Sequence, residues 1–298
     1  LLFGLSTYLA MVVMLAVLQR ALIYLPDREP RIDPQDAGLS PGRVHTITLK
    51  TDDGLELRGW HLLPPGQSAA DPRQADQQLA LGRPVVLYFS GNAGNRAWRI
   101  PEFEVFAQLG CDVFVFDYRG YGENPGSPSE DRLAADATAA WRYATQTRRI
   151  EPRRMILCGE SLGGGVAVRL AAEQSIAGTP PGGLVLRATF SSLADVAAYH
   201  YPWLPVRWLL VDRYESAERM PQVTCPILHL HGLRDSIIPI EFGRKLFAAA
   251  PPQSANGIPK RFVELPAADH NDILAVAEPE FEAAVAQFLK QLSVQVVH

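Results

Sequence analysis

Cysteine is scarce in this 298-residue chain. Cys111, Cys158 and Cys225 make an odd number, at spacings no metal site uses. Each sits in or opens an apolar run (CDVFVF, MILC, CPILHL), so the three are expected as small buried side chains, and no disulfide framework holds the fold. HExxH, CxxC and carboxylate-rich runs are missing, which argues against a metal site, and no cofactor is expected. Lys and Arg form no run or stripe and the formal net charge is −4, which excludes nucleic acid as a partner. There is no internal repeat and no low-complexity tract.

What is present is core material. Hydrophobic residues make up 47% and charged residues 20%, the balance of a globular domain with a substantial interior. Charge is absent from residues 1–18, where only Ser6 and Thr7 break the apolar run. That length approaches the roughly 17–25 residues a membrane-spanning helix needs. The stretch AVLQRALIYLP offers no small-x-small cleavage site between Leu15 and Pro26. An uncleaved membrane anchor over residues 1–20 is therefore expected, ahead of a signal peptide or a buried core helix, with Gln19 and Arg20 at the interface. Pro26, Pro30, Pro34 and Pro41 punctuate a polar connector over 21–43 that cannot be one helix. A single catalytic domain would then occupy 44–298.

Within that domain, VHTITLK (44–50) and LELRGWHLL (55–63) alternate apolar and polar residues around Asp53-Gly54 and predict an antiparallel hairpin. Residues 64–83 are polar and read as a surface loop. Thereafter apolar runs at 85–90, 111–118, 155–159, 184–190, 225–232 and 261–265 alternate with helical stretches near 97–109, 130–146, 162–174, 241–250 and 278–292. Such alternation predicts βαβ units and an α/β fold whose mostly parallel sheet is covered by helices on both faces. Residues 191–220 read as an irregular aromatic segment. In sheets of this kind reacting groups gather at the carboxyl ends of strands.

Gly159-Glu160-Ser161-Leu162-Gly163 fits G-x-S-x-G, with an apolar strand leading in and a helical AVRLAA stretch leading out. A sharp strand-to-helix turn would expose the Ser161 hydroxyl, and the helix N-terminus would offer unpaired N–H groups to a developing oxyanion. A serine hydroxyl needs a base, and the base needs an orienting acid. Of the histidines after Ser161, His229 and His231 lie in a strand run, His200 lies among aromatics and His298 is terminal. His270 follows a strand and a short loop and precedes a helix, the expected place for the base. Asp235, just past the strand 225–231, is the expected acid, with Asp195 the alternative. Asp269 and Asp272 flank His270 too closely in sequence to bond its ring, and Asp272 is expected to cap the next helix. The oxyanion donors are expected to be the backbone N–H groups of Leu162 and of Asn92 in the loop Ser90-Gly91-Asn92-Ala93-Gly94-Asn95, with Gly91 as second choice for the latter.

The blocks SGNAGN (90–95), DYRGYGENPG (117–126), GESLGG (159–164), ATFSSL (188–193), GLRDSIIP (232–239) and DHND (269–272), together with the LIYLP exit of the apolar N-terminus, resemble the membrane-anchored α/β-hydrolase-domain proteins of the Bem46 type over roughly residues 45–293. The resemblance implies an α/β-hydrolase fold and a Ser161, Asp235, His270 triad. That family's first loop usually begins His-Gly-Asn, whereas this chain has Ser90-Gly91-Asn92. Asp117 and Arg119 are expected to brace the loop after their strand rather than join in chemistry.

A cap is expected over about 191–220, where Tyr199, Trp203 and Trp208 are candidate substrate contacts lining an apolar acyl pocket. The expected reaction is hydrolysis of a carboxylic ester or thioester with an apolar acyl group, on a small ester or lipid-like substrate beside a membrane. A serine peptidase or acyltransferase with the same triad is the alternative within catalysis. A non-catalytic, membrane-tethered interaction protein with this fold is the alternative outside it.

Overall fold

The alternation of short apolar runs with amphipathic ones is realised as one central sheet in the computed structural model, which describes residues 2–294; Leu1 and the residues from 295 on, His298 among them, lie outside it. The strands are β1 (Val44–Lys50), β2 (Glu56–Leu62), β3 (Val85–Phe89), β4 (Asp112–Phe116), β5 (Met155–Glu160), β6 (Gly183–Arg187), β7 (Ile227–Gly232) and β8 (Arg261–Leu265). Their spatial order is β8-β7-β6-β5-β3-β4-β2-β1. β3 through β8 run parallel, and β2 is antiparallel to both β1 and β4.

Side chains alternate across this sheet as the pleat requires. Leu87, Phe89, Leu157, Leu184 and Leu186 face α4 (Glu130–Arg142), α5 (Leu162–Ile176) and α9 (Ile240–Ala249). Val86, Tyr88, Val113, Ile156, Cys158 and Val185 face α3 (Ile100–Gln108) and α10 (Ile273–Val294). With both faces covered, the central strands can be uniformly apolar, and all five residues of β3 are buried. Cys111, Cys158 and Cys225 are free and buried.

Three segments differ from the sequence reading. Residues 64–83 contain a helix, α2 (Pro72–Leu79), whose first turn is capped by Asp71 accepting from the Gln74 N–H. The Asp-Pro pair is a helix-start signal, and the buried Ala75 and Leu79 supply the apolar face that a general polarity obscures. The aromatic segment after β6 is not irregular: it holds α6 (Leu193–His200), α7 (Val206–Leu209) and α8 (Ser216–Arg219). The final helix starts at Ile273, five residues before the expected 278. Ala277 departs from helical geometry there (φ −143°, ψ 29°), because Pro279 interrupts the hydrogen-bond ladder.

α1 (Leu2–Ile23) precedes the domain, and Phe3–Ile23 has a mean hydropathy of 1.7 and is long and apolar enough to cross a membrane. Most of its surface is exposed. Only the stripe Met11, Val12, Leu15, Ala16, Gln19 and Ile23 is shielded, at the helical spacing of one face.

Candidate active site

β5 ends in a turn that its glycines make possible. A Cβ on Gly163 would lie 2.1 Å from the Phe89 carbonyl oxygen, and one on Gly159 would lie 2.5 Å from the Gly163 carbonyl oxygen, so side chains there would push α5 off the sheet. Between them Ser161 adopts φ 52°, ψ −120°, a conformation that costs a non-glycine residue of order 1–3 kcal/mol. Its backbone is held on both sides: its N–H donates to the Arg187 carbonyl (2.9 Å), and its carbonyl accepts from Thr189 Oγ1 (2.7 Å).

The turn aims the Ser161 hydroxyl at His270. Oγ lies 3.1 Å from His270 Nε2, and His270 Nδ1 lies 2.8 Å from Asp235 Oδ2. All three residues are buried. β7 and β8 are adjacent, and the segments after their carboxyl ends bring Asp235 and His270 together. Asp235 Oδ1 accepts from the backbone N–H groups of Ile237 (3.0 Å) and Ile238 (2.6 Å). Burial alone would raise this carboxyl, but the hydrogen bonds from His231 and His270 outweigh it and hold Asp235 well below the usual carboxylate range.

His231 was expected only as a buried strand histidine. Its Nε2 lies 2.8 Å from the Ile238 carbonyl and 3.2 Å from Asp235 Oδ2. A carbonyl can only accept, so Nε2 carries the hydrogen, and His231, shared between that carbonyl and Asp235, is a second donor at the same Oδ2 that faces His270. His229, behind it, is fully buried, and burial followed by the neighbouring His231 keeps its ring far below the ordinary histidine range.

The other acids stand elsewhere. Asp195, on the cap, pairs with Arg207 of the cap and with Lys245 of α9, and is bonded to neither ring nitrogen of His270. Asp269 accepts from Ser236 and from the His270 backbone N–H. Asp272 sits at the start of α10, but its carboxylate turns back to the Asp269 N–H (2.7 Å) instead of capping the helix.

Glu160, the variable residue of the motif, anchors a buried ionic network. Arg99 (2.6 Å) and Arg187 (3.0 Å) both donate to it, Tyr88 adds its hydroxyl (3.1 Å), and Arg187 reaches on to Glu102 (2.8 Å). Burial alone would raise the Glu160 carboxyl, but the two guanidiniums overcome that and bring it down to about 2. Asp117 and Arg119 are likewise structural. Asp117 takes the Arg96 guanidinium and N–H, while Arg119 forks between Asp136 and Asp53.

The loop after β3 passes beside the Ser161 turn. Asn92 is tied down at two atoms: its amide Nδ2 donates to the Ile23 carbonyl (2.7 Å), and its backbone carbonyl accepts from the Leu25 N–H (2.9 Å) and the Tyr121 hydroxyl (2.7 Å). Leu25–Pro26 then pairs in parallel with Ala93–Gly94. Among the described residues no acceptor takes the Asn92 N–H or the Leu162 N–H, the latter being the first of α5 and without an intrahelical partner. The Ser90 hydroxyl, at the position where the resembled family has His, has no partner among the described residues. Tyr118 braces this end of the loop through the Ser90 carbonyl instead (3.1 Å).

Tyr199, Trp203 and Trp208 are not gathered at the triad. Tyr199 and Trp208 line a groove of about 480 Å³ together with Asp195, Leu204, Arg207 and Phe242, and none of Ser161, Asp235 or His270 is in its wall. Trp203 packs edge-on against Tyr201 outside it. Neither the second histidine on Asp235 nor the brace between Asn92 and Ile23 was anticipated. The first could have been noticed from the four-residue spacing of His231 and Asp235 across one turn.

Comparison with known proteins agrees with this architecture. Residues 84–210 match the family model described as α/β hydrolase fold. The chain is 40% identical over 276 residues to an uncharacterized protein of Mycobacterium tuberculosis (strain H37Rv), covering 93% of this chain and 89% of that one. It is 30% identical over 283 residues to lysophosphatidylserine lipase ABHD12 of Rattus norvegicus, covering 86% and 69%. Among solved structures, the Pyrococcus furiosus esterase Pf2001 superposes with a TM-score of 0.65 at 19% identity, covering 90% and 97%, a likeness of fold. With the sheet order, the strained serine turn and these relatives together, the chain belongs to the α/β hydrolase family.

Proposed function

We propose that this hydrolase is a serine enzyme that cleaves carboxylic esters or thioesters of lipid-like substrates through an acyl-enzyme on Ser161. The observation that carries the reading is the unbroken line from Ser161 Oγ through His270 to Asp235 at a strained turn. His270 Nε2 takes the hydroxyl proton as Oγ attacks the acyl carbonyl, and Asp235 holds the opposite ring nitrogen. The carbonyl oxygen becomes an oxyanion facing the free N–H groups of Asn92 and Leu162. His270 then hands its proton to the departing alcohol or thiol, leaving the acyl group on Ser161, and water repeats the sequence to release the acid.

The substrate class rests on the relative's name and on the apolar surroundings. The ABHD12 relatives are lysophosphatidylserine lipases, and the cap that carries Tyr199, Trp203 and Trp208, the proposed contacts for the substrate's apolar part, lies along α1. We place residues 1–20, the greater part of α1, as a membrane anchor, residues 21–43 as the connector and 44–298 as the catalytic domain, within the membrane-anchored branch of the family. A panel of p-nitrophenyl esters of increasing acyl length, run beside peptide p-nitroanilides, tests the reaction class. Turnover of the esters, without amide cleavage at comparable rates, is expected. Amide cleavage at or above the ester rate would make the protein a peptidase.

The brace on Asn92 gives a second test. Asn92→Ala keeps the backbone N–H but frees the loop from the Ile23 carbonyl. A loss of kcat of roughly two- to tenfold with KM little changed is expected, corresponding to one hydrogen bond of about 0.5–1.5 kcal/mol. Steady-state kinetics on the full chain reads it, and a rise in KM alone would remove Asn92 from the oxyanion site.

A further inference from the structure

The cap segment Tyr199–Val211 leaves the domain at Tyr199 and His200, whose rings meet Phe242 and the Ile237 carbonyl, and beyond them runs alongside α1. The Tyr8 hydroxyl donates to the Trp203 carbonyl (2.8 Å). Eleven residues further along the helix, Gln19 donates from Nε2 to the Leu209 carbonyl (3.2 Å) and accepts from the Val211 N–H at Oε1 (2.7 Å). The two elements therefore lie together over about 16 Å of helix axis. Val12, Leu15 and Ala16 of α1 face Leu204, Val206, Leu209 and Leu210 across this seam.

On the side away from the seam the two present one apolar surface. From α1 it carries Leu9, Val13, Val17 and Leu18, and from the cap Tyr201, Trp203, Trp208 and Val211, all exposed, Trp208 by 90%. Most of its backbone N–H groups are satisfied, those of Trp203, Val206 and Arg207 having no partner among the described residues. The N–H groups of Tyr201, Leu204, Trp208, Leu209 and Leu210 bond within the segment or to α6, Val211 bonds to Gln19, and Pro202 and Pro205 have none to offer. Arg207, the segment's single permanent charge, is paired with Asp195.

We infer that the cap segment Tyr199–Val211 is inserted into the acyl region of a phospholipid bilayer together with α1, the two forming one membrane-embedded face. The seam compels this once α1 is in lipid. A 22-residue helix is about 33 Å long against a hydrocarbon core of about 30 Å, and a cap attached along half of that length enters with it. The inference rests on the proposed membrane placement of α1 but not on the ester chemistry.

Tryptophan quenching tests it without turnover. Among the five tryptophans, Trp60 and Trp141 are buried, so lipid-accessible emission comes from Trp98, Trp203 and Trp208. The full chain is reconstituted into phosphatidylcholine vesicles whose acyl chains carry bromine, and acrylamide serves as the aqueous quencher. Bromine should quench the wild type and Trp98→Phe alike, and the Trp203→Phe/Trp208→Phe double variant should lose most of that quenching. Both replaced rings are exposed, and the Trp98→Phe chain, with its cap intact, provides the reading if the double variant folds poorly. Bromine quenching that survives in the double variant, or vanishes in Trp98→Phe, overturns the inference, as does acrylamide reaching Trp203 and Trp208 freely in the vesicles. If α1 itself is stripped from the vesicles by a carbonate wash, the membrane placement falls as well. Ester turnover of the wild-type chain, measured separately, tests the chemistry alone, and neither quenching result bears on it.

Discussion

Ser161→Ala should abolish ester turnover and fluorophosphonate labelling while leaving the melting temperature near that of the wild type. The replacement removes one oxygen whose partner is His270 Nε2, and alanine meets the same positive φ at the same cost as serine, so the turn keeps its shape. The backbone bonds to Arg187 and Thr189 are also untouched. What remains is the oxyanion site and substrate binding, so the residual rate should fall by a factor on the order of 10⁶ in kcat, the scale for removing a triad nucleophile. Labelling followed by intact-mass measurement reads the result directly. A covalent adduct formed at the wild-type rate would move the nucleophile away from Ser161.

Asp235→Asn should cost kcat a factor on the order of 10⁴, and here the contacts explain why an amide cannot stand in for the carboxylate. Oδ1 accepts from two backbone N–H groups, and Oδ2 faces the His270 and His231 rings. An amide turned one way points its NH₂ at the backbone donors of Ile237 and Ile238. Turned the other way it points at His231 Nε2–H and forces His270 to accept at Nδ1, which puts the ring hydrogen on Nε2, against Ser161. Either orientation sets donor against donor at a buried site, so some loss of stability should accompany the loss of rate. Asp195→Asn, by contrast, should leave kcat within a few-fold of wild type, because Asp195 spends its charge on Lys245 and Arg207. Comparable losses in the two variants would transfer the orienting role to the cap.

That Ser161, Asp235 and His270 would meet could be seen in the sequence because each follows an apolar strand, and a parallel sheet brings the carboxyl ends of its strands together. The sheet was legible for the same reason, since strands covered on both faces leave continuous apolar runs. What escaped was set by contacts distant in sequence. Nothing near Asn92 marks Ile23 as the partner of its side chain, and nothing near Asp212 marks Arg20 and Tyr24 as donors to it. The Glu160 network was hidden similarly: Arg99, Glu102 and Arg187 read one at a time as ordinary helix and strand charges, and only the fold makes them one buried cluster. Helices α6 to α8 were missed because their aromatic and proline-rich sequence has no clean period, and their order comes from packing of α7 against α6 and α1 and of α8 against α5 and α9.

The bidentate bond from Arg20 to Asp212 joins residues 192 apart, and this separation bears on how the protein is made. A ribosome adding about 5–20 residues per second needs roughly 10–40 s to follow the apolar helix with the partner that pairs with its end. Through that interval the helix is finished and the cap does not exist. Its Val12, Leu15 and Ala16 face is as bare as the opposite one, and in water the nascent chain would be open to association with others of its kind. On the proposed membrane placement, delivery to a membrane during translation would give the segment a place before its protein partner emerges, and the cap would then dock onto a helix already held in lipid. Chains synthesised without membranes should therefore be recovered largely as aggregates, whereas the same chains made with vesicles present from the start should reach the native cap.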